Sequence, residues 1–240
     1  MRARHPRAFQ LAVKRIRSFH RELGPAFGWR FLYCPARLLS PKTRLMLVGI
    51  NPGGQSRKGR PSQERGNAYN VERWSRDGEI LRRQVVQFFC LIAQALKRKN
   101  LSGSRLLDET LTANFYPFHS HTWHRFPRAS RRRVIEFSRS LWSEVLPYLN
   151  PRVVVCMGKA PLREFERLLE RQGYNLKQRE SVPTGWGGAT FRIVEAYADG
   201  RTTSLVYLPH LSQFKLLHHR QSDRAVRRIC DAIALRLRAA

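Results

Sequence analysis

The chain has 240 residues, 42% of them hydrophobic and 10% aromatic, so it is long enough to bury one core and too apolar to be a disordered tail. Its 45 Lys and Arg against 17 Asp and Glu give a formal net charge of +28, which no fold requires and which points to an anionic partner, above all nucleic acid. No stretch approaches 18 uncharged apolar residues and the N-terminus lacks the apolar centre of a signal peptide, so the expectation is a soluble intracellular protein with no membrane partner.

A single domain over residues 1–240 is expected, its first 40 residues a basic helical extension. Residues 44–50, RLMLVGI, read as a buried strand that runs into the turn formers of GINPGG. Residues 55–78 are polar and rich in Gly and Arg, and read as a long loop. From Asp77 as N-cap, the spacing of Ile80, Leu81, Val85, Phe88, Phe89, Ile92 and Leu96 predicts a helix. A strand at 110–115 follows, and then the turn-rich segment NFYPFHSHTWHRFP.

A second helix is predicted over 130–149, with Val134, Leu141, Trp142, Val145 and Leu149 inward. RVVVCMG reads as another buried strand, KAPLREFERLLERQG as the helix after it, 191–197 and 204–208 as strands, and 221–238 as the closing helix. Alternating strands and helices predict a three-layer α/β/α sandwich with a mostly parallel central sheet. The four cysteines, at 34, 90, 156 and 230, show no paired metal-ligand spacing, so no metal and no cofactor are expected; Cys90 and Cys156 read as core thiols.

Ligands of such sheets sit outside the carboxyl ends of the strands. Residues 49–56, 114–120 and 209–214 each follow a strand and can converge there. The glycine spacing of the first fits neither the Walker loop nor GxGxxG. Instead Pro52 stiffens the backbone, Gly53 and Gly54 permit close approach, and the Asn51 amide can hold a water. In the second, the planar amide of Asn114 matches the O4 and N3–H edge of a pyrimidine. In the third, Ser212 and Phe214 follow closely on His210. Singly each has a plainer explanation, since strand-end Asn residues form turns and a lone His is commonly structural.

Taken together, GINPG at 49–53, NFYP at 114–117 and PHLSQF at 209–214 resemble the motifs of the uracil-DNA glycosylase superfamily. The first is similar to that of its mismatch-specific and single-strand-selective monofunctional branches, and Leu211 stands where the last motif has Pro. The resemblance implies the sandwich fold and a monofunctional glycosylase that flips uracil or a related deaminated base out of DNA for base excision repair, in the cytoplasm or nucleoid, or in a nucleus or organelle. It implies Asn51 as the residue that positions the attacking water and His210 as the one that stabilises the departing base. Gly49, Ile50, Pro52, Gly53, Asn114, Phe115 and Ser212 would bind the base. Tyr69 would stack on it or else pack in the core. Arg57, Lys58, Arg60, Arg128 and Lys215 would meet phosphates, while Phe214, Leu216 or Leu217 would wedge into the gap left by the flipped nucleotide. DNA, single or double stranded, is the implied partner and a monomer the implied form. A different lesion such as hypoxanthine, or a nucleic-acid-binding protein without catalysis, are the alternatives.

Overall fold

The computed structural model describes residues 6–24, 26–54 and 56–238. Its main sheet has six strands in the order β4-β2-β5-β8-β7-β6. The strands are β2 (Leu45–Gly49), β4 (Leu111–Asn114), β5 (Val153–Met157), β6 (Asn175–Pro183), β7 (Thr190–Ala198) and β8 (Arg201–Leu208). Neighbours among β4, β2, β5 and β8 run parallel, whereas β8, β7 and β6 form an antiparallel meander. All five residues of β2 and of β5 are buried, as a strand covered by helices on both faces requires.

Side-chain alternation sorts the core into two layers. Met46 and Val48 of β2 join α1 (Arg7–Leu23), α5 (Arg128–Val145) and α6 (Lys159–Arg171) on one face. Leu45 and Leu47 join α2 (Ala68–Val71), α3 (Arg76–Leu96), α4 (Gly103–Asp108) and α8 (Asp223–Arg238) on the other. The chain passes from β2 to β4 through α3 and α4, then jumps back over β2 to β5 through α5 on the opposite face. Strand order therefore reverses at β2, and a sheet of this kind binds its ligand beside that point.

Several boundaries differ from the sequence expectation. The long loop at 55–78 contains β3 (Gly59–Arg60), which pairs in parallel with β1 (Trp29–Arg30), as well as α2, whose Asn67 cap accepts from the Tyr69 N–H. Helix α3 begins at Arg76 after Ser75, two residues earlier than an Asp77 cap allows. Helix α5 starts at Arg128 and gives way at Leu146 to a 3-10 turn containing Pro147. Strand β6 and helix α4 were not legible: the alternation of β6 is broken by its run of charged residues, and α4 is too short for a period. Among the cysteines, 34, 156 and 230 are buried, while Cys90 is only half-buried beside Gly103.

That last contact is testable. A Cβ at Gly103 would stand 2.5 Å from the Cys90 backbone nitrogen and 2.5 Å from its sulfur, so α3 and α4 touch only because residue 103 has no side chain. Gly103→Ala is expected to destabilise the fold by about 1–3 kcal/mol, read as a lower urea midpoint with unchanged slope.

Candidate active site

The parallel strands end level with one another. Gly49 lies opposite Asn114, Val48 opposite Cys156, and Met157 opposite Leu208, so residues 114, 49, 157 and 208 form one row along the carboxyl edge of the sheet. The three singled-out segments leave from this row, although β5 stands between β2 and β8, so the third comes from a strand not adjacent to the first.

The first two segments are stitched together. Phe115 N–H donates to the Gly49 carbonyl and Tyr116 N–H to that of Ile50, both at 2.9 Å, and Ser120 N–H donates to that of Pro52 at 3.1 Å. The Asn51 side chain reinforces them: Nδ2 donates to the carbonyls of Pro52 at 2.9 Å and Ser120 at 3.1 Å. Both amide hydrogens are thus held, which fixes the rotamer and leaves Oδ1 as an oriented acceptor. His119 adds another tie, its Nδ1 lying 3.0 Å from the Gly53 carbonyl. Burial holds the His119 pKa below the ordinary imidazole value in spite of that bond.

Asn114 is 5% exposed, and its Nδ2 makes no close hydrogen bond among the described residues. An unmatched buried donor costs roughly 1–3 kcal/mol, so this amide is suited to an acceptor brought by a ligand. Gly49 makes room beside it: a Cβ there would stand 2.9 Å from Asn114 Oδ1. The Tyr33 phenol also lies against the Asn114 side chain; burial raises its pKa, while Arg30 and Asn114 pull the other way. The Arg30 guanidinium is 3.9 Å from the Tyr33 ring centre and makes a forked pair with Glu72, 2.8 Å on each arm. Burial would raise the Glu72 pKa, but its bonds to Arg30 and Gln63 hold it below the usual carboxylate range. Glu72, Arg30 and Tyr33 thus form a braced chain behind Asn114.

In the third segment, His210 caps the short helix α7 (Leu211–Phe214), and the Ser212 hydroxyl lies 2.7 Å from its Nδ1. Burial drives the His210 pKa down to about 4, so the ring is neutral at physiological pH. Leu211, at the place of the expected Pro, is fully buried in the α3/α8 core and pins the segment by packing. Helix α3 reaches the same segment, with the buried Gln84 accepting from the Leu217 N–H at 3.3 Å.

Two residues expected to meet the base are buried among other aromatics. Phe115 is fully buried, its ring packed among Tyr116, Trp142 and Phe165 on the α5/α6 face, the side of the sheet away from Tyr33. Tyr69 is 5% exposed in a stack with Tyr33 and Trp74. Of the proposed wedges, Leu216 is fully buried, whereas Phe214 and Leu217 are partly exposed. Arg57, Lys58, Arg128 and Lys215 are exposed. Arg60 is exposed too but lies 3.4 Å from Glu72. The β1/β3 pair that carries Lys58 and Arg60 joins the second segment through the Arg30 N–H bond to the Pro117 carbonyl at 2.7 Å. Tyr33 was missed in the sequence because nothing local marks its contact with a residue 81 positions away.

The family model described as Uracil DNA glycosylase superfamily matches residues 36–233, most of the chain. The chain belongs to this superfamily. No curated protein matches it. Membership supports a DNA glycosylase of the uracil-DNA glycosylase type, a hydrolase whose substrate is DNA. Within this superfamily member, no helix among the described residues is long and apolar enough to cross a membrane, and no group of three or more His, Cys, Asp or Glu there could hold a metal ion.

Two outcomes follow from the geometry. Gly49→Ala is expected to leave the fold intact and to displace the Asn114 amide, lowering base excision at least 100-fold in single-turnover assays. His210 gives a pH signature: its pKa is about 4 in the fold, against an ordinary 6.5, so the unfolded chain binds the extra proton between those values. Stability therefore falls as pH drops from 6.5 to 4, by up to about 3 kcal/mol, and urea titrations of His210→Gln are expected to flatten that slope.

Proposed function

We propose that this protein is a monofunctional glycosylase that removes uracil, or a closely related deaminated pyrimidine, from DNA. The observation that carries the proposal is the buried Asn114 amide, whose nitrogen makes no close hydrogen bond among the described residues and lies near the Tyr33 phenol, beside the side-chain-free Gly49. That nitrogen is a donor suited to uracil O4, and the oxygen of the same amide can accept from N3–H. Cytosine presents an amino donor and an unprotonated N3 at those positions, so the same fork rejects it.

Asn51 Oδ1 accepts a hydrogen bond from a water and aims its oxygen at C1′. As the C1′–N1 bond breaks, its electron pair goes to the base and C1′ takes the water oxygen; the proton released passes through solvent to the departing base. His210 remains neutral throughout. With the Ser212 hydroxyl donating to Nδ1, the ring proton sits on Nε2 and can donate to the oxyanion developing at O2. A neutral donor suits this role because an imidazolium in a buried site would have to be desolvated first. No strong base stands in the loop, so positioning and leaving-group stabilisation carry the rate, and turnover is modest.

Extruding the base costs on the order of a few kcal/mol, which phosphate contacts by Arg57, Lys58, Arg128 and Lys215 offset. Phe214 or Leu217 fills the vacated stack. The protein acts as a monomer. Oligonucleotides each carrying one modified base, uracil and hypoxanthine among them, test the proposal through abasic-site formation. Asn51→Ala and His210→Ala are expected to reduce uracil release at least 100-fold and to change DNA affinity less than threefold. Wild-type protein that binds DNA and leaves every lesion in place would overturn the assignment. Affinity is expected to fall steeply and linearly with log salt, and less steeply when Lys58 and Arg128 are replaced by Ala.

A further inference from the structure

The hairpin joining β6 to β7 is outside the three motif segments, yet its tip lies against the last of them. The sequence at the tip is TGWGG, residues 184–188, and Gly185, Gly187 and Gly188 all have positive φ, at 77°, 61° and 63°. Thr184 locks the turn: its hydroxyl donates toward the carbonyls of Trp186 and Ala189, both at 2.9 Å. The glycines also permit close approach. A Cβ at Gly185 would stand 2.4 Å from the Gln221 carbonyl oxygen, and one at Gly187 would stand 3.5 Å from the Phe214 ring. The tip is therefore seated on the segment that runs from His210 to Gln221.

Trp186 is 40% exposed in a chain whose other large aromatics are mostly buried. One face of its indole is backed by His219, with ring centres 3.8 Å apart and planes 18° from parallel. The segment that supplies His219 also carries Lys215 and Arg220, both exposed. A flat aromatic supported from behind, on a segment that also carries exposed Lys and Arg side chains, has the composition of a stacking platform for an unpaired base, where the rings meet the base and the cations meet the phosphates. As a folding contact it would be a poor choice, because so much of the indole remains in water.

We propose that Trp186, supported by His219, stacks on an unpaired nucleobase of the DNA strand next to the extruded nucleotide. The inference rests on the proposed action on DNA, and it assigns to the β6/β7 hairpin the part of the substrate adjoining the reacting base. It gives the protein a preference for unpaired DNA at that position, since a paired base has no free face to offer.

The test measures binding separately from excision. Fluorescence anisotropy with an undamaged single-stranded oligonucleotide and with the matching duplex is compared for wild type, Trp186→Ala, Trp186→Phe and His219→Ala. Single-strand affinity is expected to fall about 10-fold in Trp186→Ala and to be largely restored in Trp186→Phe. His219→Ala should give an intermediate loss, duplex affinity should change less than threefold, and the salt slope should stay the same. Single-strand binding by Trp186→Ala equal to wild type, or an equal loss on duplex, overturns the inference. If wild type releases no base from any lesion while this binding pattern holds, the glycosylase assignment falls and the stacking platform stands. Identical far-UV spectra and thermal midpoints for the four proteins establish that the loss is local.

Discussion

Gly49 meets the Asn114 side chain across two parallel strands, and the 2.9 Å from the position of its missing Cβ to Oδ1 means that any larger residue there must push that amide aside. That close approach is possible because β2 and β4 run in parallel register and end at the same level. Once the two strand ends are fixed, the carbonyls of Gly49, Ile50 and Pro52 can all accept from the chain that follows β4. The loop of the first motif is thereby built as a ladder continuing past the end of the sheet. A buried amide whose donor makes no close hydrogen bond among the described residues is tolerated at such a place only because the surrounding structure holds it there.

The rest of the site is a set of braces for this row. Asn51 uses both hydrogens of its amide to fasten the loop, which leaves its oxygen as an oriented acceptor. Glu72, Arg30 and Tyr33 support Asn114 from behind through an ion pair and a cation stacked on a ring. Arg30 is 6% exposed, and breaking a pair so buried would leave an uncompensated charge. His210 is held differently, by the packing of Leu211 into the core and by Ser212 on its Nδ1.

The charge of the chain is distributed in accordance with this arrangement. Lys58 and Arg60 ride on the small β1/β3 pair, which is hydrogen-bonded to the second motif segment, and Arg128 opens the helix that follows that segment. Lys215 sits at the end of α7 in a left-handed conformation. Each cluster is thus carried by a segment adjoining the carboxyl edge of the sheet. Part of the Arg content has a structural role instead, as the pairs of Arg139 and Arg236 with the buried carboxylates Glu164 and Glu195 show.

Local sequence determined the two all-buried strands, the amphipathic helices α3, α5 and α6, the sandwich class, and the motif segments with Asn51, Asn114 and His210. In each case the signal is a period or a turn former within a few residues. Tertiary structure decided what those signals cannot carry. Phe115 and Tyr69 have the chemistry of base-stacking residues, yet the pleat of β4 turns Phe115 toward the α5/α6 layer and Trp74 covers Tyr69. Tyr33 and Arg30 support Asn114 across more than 80 residues of chain, a relation set by sheet order and invisible to any local pattern. The seating of the TGWGG turn on the His210 segment was likewise hidden, because it depends on how far the antiparallel β6/β7 pair extends past the parallel strands. A sequence records which groups are available; which of them face one another is fixed only when the strands choose their neighbours.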